Sequence, residues 1–140
     1  MASFVKFNKF LEAVAEKKHD LGADTLKLAL TNTAPTPATD TGFLPGSAHP
    51  PPAAANGYTT KDVTIASSSE SGGTYTLACT TDVVWTATAG GIGPFRYVLL
   101  YNDTSTDDQL IGYWDYGSNI TLNDGETFTW DVTASILTLT

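Results

Sequence analysis

Cysteine is nearly absent from this chain: Cys79 is the only one in 140 residues. That excludes an internal disulfide, leaves a thiolate zinc site without ligands, and makes assembly in a reducing cytoplasm the default. Histidine is almost as scarce, and His19 and His49 stand far apart, the first placed to cap a helix end. A catalytic triad needs a positioned histidine, and no G-x-S-x-G elbow occurs among the many serines. No apolar run approaches the roughly 20 residues that span a bilayer. The opening "MASFVKFNKFLEAVAEKK" is interrupted by Lys6, Lys9 and Glu12, which the apolar region of a secretory signal does not tolerate.

Positive charge in the second half is the most instructive absence. Up to Lys61 there are six lysines against five acidic residues, or +1, while from Asp62 onward one arginine stands against ten, or −9, giving the net −8. So acidic a body repels phosphate backbones, which argues against a nucleic-acid partner. The near-neutral N-terminal part is the better docking side. Arg96, inside "GPFRYVLLYND", is the only cation after Lys61.

Three zones of one domain (1–140) are present. In residues 1–22, Phe4, Phe7, Leu11 and Val14 recur at three- and four-residue spacing, which predicts one helix from Phe4 to Lys17, with Ser3 as its cap and Gly22 blocking continuation. Its phenylalanines either pack on the chain's own sheet or anchor to a partner. "TLKLALT" then alternates as a half-buried strand. Residues 34–57 hold every proline except Pro94 and read as an extended arm of polyproline character. From residue 58 to 140 the pattern is strand upon strand: "YTTKDVTIA", a Ser/Gly-rich turn from Ser67 to Gly73, "TYTLACT", "DVVWTATA", "FRYVLLYN", "QLIGYWDY", "NITLN", "ETFTWDVT" and "ILTLT". Asn123-Asp124-Gly125 is a hairpin turn signal. Short strands rich in Thr, Tyr, Val and Trp predict a mainly β chain, an antiparallel sandwich with one N-terminal helix.

Carboxylates are numerous, but their positions are those of turns and solvated faces. Asp103, Asp107 and Asp108 share "NDTSTDDQ", Asp124 sits in a turn, and Asp131 alternates outward from Phe128, Trp130 and Val132. A glycosidase pair needs an acid with a desolvating partner, and calcium in the Asp103–Asp108 turn lacks the EF-hand spacing. No enzyme activity, cofactor or metal is expected. Tyr113, Trp114 and Tyr116 offer two readings, a core stripe or a glycan-stacking platform, and their alternation favours the core. A symmetric hairpin across Asp103–Asp108 pairs Asn102 with Gln109, Tyr97 with Trp114 and Arg96 with Asp115. Arg96 is thereby predicted to be a structural partner of Asp115, the alternative being a solubilising surface arginine.

The segments "KFNKFLEAVAEKKHDLGADTLKLALTNTAP", "NGYT", "VVWTATAGGIGPFRYVLLYND", "LIGYWDYGSNITLNDGETFTWDV" and "ILTLT" resemble a family of small virion proteins of tailed bacteriophages. The resemblance covers most of the chain and is most specific at "GPFRY" and "DYGSNITLNDGETF"; the insert at Ala34 to Ala55 and "TTKD" after "GYT" depart from the pattern. It implies a capsid decoration (cement) protein with a jelly-roll-like sandwich, assembled in the host cytoplasm and carried on the virion. Its expected partners are the major capsid protein and copies of itself, as a trimer, with neither nucleic acid nor membrane. Phe4, Phe7, Phe43, Leu44, Pro50, Pro51 and Pro52 are the expected contact residues. A tail-associated role and a glycan-binding module around Tyr113–Tyr116 are the alternatives.

Overall fold

The computed structural model describes residues 2–43, 48–132 and 135–140. Among them the chain runs β1 (Phe4–Lys6), α1 (Asn8–Ala15), β2 (Leu26–Thr31), β3 (Lys61–Asp62), β4 (Ile65–Ser71), β5 (Thr74–Cys79), β6 (Val83–Thr86), β7 (Ile92–Asn102), β8 (Leu110–Leu122), β9 (Thr127–Trp130) and β10 (Ser135–Leu139). All the strand pairings are antiparallel and build sheets of order β1-β8-β7-β2-β3, β10-β5-β4 and β6-β9. The chain is mainly β, as its composition predicts. Trp114 of β8 meets Trp130 of β9 edge-on at 5.0 Å, and Phe95 of β7 meets Phe128 of β9 at 5.0 Å. These rings bind the five-stranded sheet to the β6-β9 pair, an arrangement consistent with a β-sandwich.

β2 is buried on both faces, not half-buried: only Lys27 stays partly exposed, reaching Asp103 at 2.9 Å. Alternation of leucine with small residues hides this, because Ala29 and Thr31 fill the second face without looking apolar in sequence.

The predicted helix is divided. Residues 4–6 form a strand on the β8 edge, with Phe4 opposite Trp114 and Lys6 opposite Gly112, and the helix begins only at Asn8. Phe7 N–H donates to Ile111 O at 3.1 Å and Asn8 N–H to Pro37 O at 2.9 Å, so both are satisfied from outside the helix and Ser3 caps nothing. An available sheet edge outweighs local helix periodicity here. The helix ends at Ala15, two residues short of the expected Lys17: Lys17 takes a left-handed conformation (φ 60°) and Lys18 N–H donates back to Ala13 O at 2.8 Å.

Two turns also differ from expectation. β4 continues through Ser67–Ser71, and the reversal is confined to Gly72 (φ 60°) and Gly73 (φ 86°), the two positive dihedrals of a tight hairpin. Asn123–Glu126 does turn, with Glu126 N–H on Asn123 O at 3.0 Å, but it carries the chain from one sheet to another, since β8 pairs with β7 and β1 while β9 pairs with β6. "QLIGYWDY" and "NITLN" join into the single strand β8.

Candidate functional site

Residues 41–43 lie along the β7–β8 connection, tied by backbone and side chain. Leu110 N–H donates to Thr41 O at 2.8 Å, Phe43 N–H to Asp108 O at 3.0 Å, and Gly42 bridges Gln109. Gly42 is required there, because any β-carbon would collide with the Asp107 carbonyl. The Phe43 ring covers Tyr101 at 4.7 Å. Farther along, Thr31 Oγ1 donates to Pro50 O at 3.0 Å, and buried His49 meets Asp40 at 2.7 Å through Nε2. Beyond it, Tyr58 is buried, its hydroxyl accepts Leu30 N–H at 3.1 Å, and burial pushes its pKa up to about 12. Prolines supply no ladder donors, but the residues between them do.

Among the expected contact residues, Phe7 and Phe43 are corrected to core positions. Phe7 has no exposed surface and packs on Tyr113 at 5.5 Å, and Phe43 is buried. Phe4 is half-buried against Trp114 at 5.0 Å. Pro50 and Pro51 are exposed and Pro52 is half-buried, while Leu44 lies outside the described residues. Leu11, read as part of the buried stripe, is instead 49% exposed, because the stripe of the shortened helix runs through Phe10 and Ala13.

Arg96 and Asp115 do meet, by a route other than direct opposition. Ile111 is an extra residue between Leu110 and Gly112, so the register beyond it shifts by one and Asp115 faces Tyr97. A second irregularity opposes Phe95 to Ile120. Across it the guanidinium takes Asp115 bidentately, Nε to Oδ1 at 2.7 Å and Nη2 to Oδ2 at 2.9 Å, while lying 5.3 Å from the Tyr97 ring centroid. Gly117 N–H adds a third bond to Oδ1 at 2.8 Å. The Arg96 bond, then the Gly117 amide, hold the Asp115 carboxyl below its ordinary pKa.

His19 is not a helix cap either. Its Nδ1 accepts from the Asn102 side-chain amide at 3.0 Å, and the same amide nitrogen donates to Asp24 at 2.6 Å. The proton therefore sits on Nε2, which is buried and has no hydrogen-bond partner. Burial lowers the His19 pKa, opposed by nearby Asp24. His19 also lines a groove of about 670 Å³ with Val14, Lys17, Leu21, Tyr75 and Leu139. Sequence periodicity carried no signal for this groove, since helix, loop and three strands contribute to it.

No family model, curated protein or solved structure matches the chain. No three His, Cys, Asp or Glu among the described residues group as metal ligands. The Tyr113 ring packs against Phe7 at 5.5 Å, and the Tyr116 ring meets Phe128 edge-on at 5.1 Å. No helix among the described residues is long and apolar enough to cross a membrane.

Proposed function

We propose that this chain is a structural virion protein of a tailed bacteriophage that decorates and reinforces the capsid by binding the major capsid protein. The observation that carries the reading is where the most family-like residues fall. "GPFRY" and "DYGSNITLNDGETF" occupy the two longest strands, the turn that crosses between sheets, and the Arg96–Asp115 pair that ties the hairpin. Motifs that maintain a frame suit a protein whose work is mechanical.

The rest of the molecule supports this. The acidic body disfavours nucleic acid, and the lysines gather in the N-terminal part, on the side suited to docking. The reading carries with it a jelly-roll-like sandwich, residues 34–57 as an arm against the shell, and self-association, as a trimer, on a lattice where many modest contacts add. Mixing the purified chain with empty capsids and reconstructing the particles by electron microscopy tests it. Regular density on the shell supports it; density confined to the tail, or none, overturns it.

A further inference from the structure

The three-stranded sheet ends on both sides in open backbone. Its order is β10-β5-β4, so among the described residues neither β10 nor β4 has a strand on its outer edge. β10 has neither charge nor proline from Ser135 to Thr140, and β4 has only Glu70. The edges of the five-stranded sheet are protected differently, β1 by its three-residue length and Lys6, β3 by its two charged residues. The β10 and β4 edges each have a register irregularity near one end, at Ile136 in β10 and Ala66 in β4, and the stretch beyond it, with no proline and Glu70 as its one charge, is a template for pairing with another strand.

β4 also lacks a burial reason to be ordered, because Ala66 to Ser71 are all exposed. The register places Thr138, Thr76 and Ser69 in one row and Ser135, Ala78 and Ser67 in another, while Leu137 and Leu77 of the opposite face are buried. The outward face of this sheet is thus serine, threonine and alanine without a charge, in a chain of net charge −8.

We propose that the chain associates with copies of itself by continuing this sheet, the β10 edge of one copy pairing with the β4 edge of the next. A second copy carries both edges, and each addition covers one while leaving the other open, so growth stops only where the copies close into a ring. Pairing β10 on β4 brings one glutamate to each seam, where β4 on β4 would bring two. Three copies of a three-stranded sheet close nine strands, near the number at which side chains fill the inside of a closed sheet. This deepens the self-association of the reading above and rests on it for the number three.

Thr138 and Ser69 share a row with Thr76 between them, so their Cα atoms lie about two strand spacings, ~10 Å, apart. That exceeds disulfide reach within one copy, and Cys79 is buried. The full chain carrying Thr138→Cys together with Ser67→Cys, Ser69→Cys or Ser71→Cys, one pairing per register, is oxidised and run without reductant. Covalent multimers from at least one double variant, and from neither single variant alone, are expected. Light scattering should show an oligomer for the parent, and at least ~10-fold weaker association for Thr138→Lys with unchanged circular dichroism. A monomeric parent at high concentration, cross-linked dimers from Thr138→Cys alone, or an oligomer indifferent to Thr138→Lys overturns the proposal. Capsid binding is scored separately: rings that ignore capsids keep the seam and sink the decoration reading, and monomers that bind capsids do the reverse.

Discussion

Arg96 is the last cation of an acidic chain, and its two bonds to Asp115 span an irregular stretch of the longest hairpin. If the pair ties that stretch, Arg96→Ala and Asp115→Ala should each lower the urea midpoint, and the double variant should lose less than the sum. Additive losses would mean no coupling. The sign with pH follows from the depressed Asp115 carboxyl. Its stabilisation is complete above the ordinary value of about 3.9 and is lost as pH falls through the lower folded value. Asp115→Asn should therefore flatten the acid end of the stability profile. His19 acts at a higher pH. Because burial depresses its pKa, the unfolded chain binds more protons below about 6.5, and stability should fall on acidification from there. Urea midpoints between pH 5 and 7.5 check this, and His19→Gln should remove the slope. The Arg96–Asp115 partnership was legible because one cation stood near few acids. Its geometry was not, since a single extra residue, Ile111, moves every pair beyond it and leaves no mark on the apolar pattern.

At the scale of elements, the strands of the second half were legible from period and composition, and their limits were not. Ser67–Ser71 reads as a turn and forms a strand because β5 offers a ladder beside it. Phe4–Lys6 reads as helix and pairs with β8 for the same reason. Gly112 shows how closely that pairing is fitted, since a β-carbon there would enter the Phe4 ring. Gly112→Ala should destabilise by about 1–3 kcal/mol through this overpacking, measured by urea unfolding; an unchanged midpoint would mean that β1 is not held against β8. Residues 34–57 were legible as proline-rich but not as packed, because their contribution comes through scattered residues such as Gly42, Phe43 and His49. Phe43→Ala uncovers Tyr101 and should cost on the order of 3 kcal/mol, a loss that an idle surface loop would not show.

For the whole molecule, the proposed docking of residues 34–57 on another protein has to be tested apart from folding. Deleting residues 34–55 is a poor probe, since it also strips buried Phe43 and His49 from the body and confounds attachment with folding. Pro50 and Pro51 separate the two. Both are exposed, yet the Pro50 carbonyl is fixed by Thr31 Oγ1, so their rings stand on a held backbone at little further entropic cost to binding. Pro50→Ser with Pro51→Ser keeps both carbonyls while removing the apolar rings. If this segment docks on the shell, the double variant should melt within a few degrees of the parent, because surface changes alter stability little, yet attach to empty capsids several-fold more weakly. Co-sedimentation over a range of protein concentrations reads the affinity directly. Undiminished attachment would move the docking surface away from these prolines, to the exposed face of α1 around Leu11, where Leu11→Ser becomes the variant that must fail to bind.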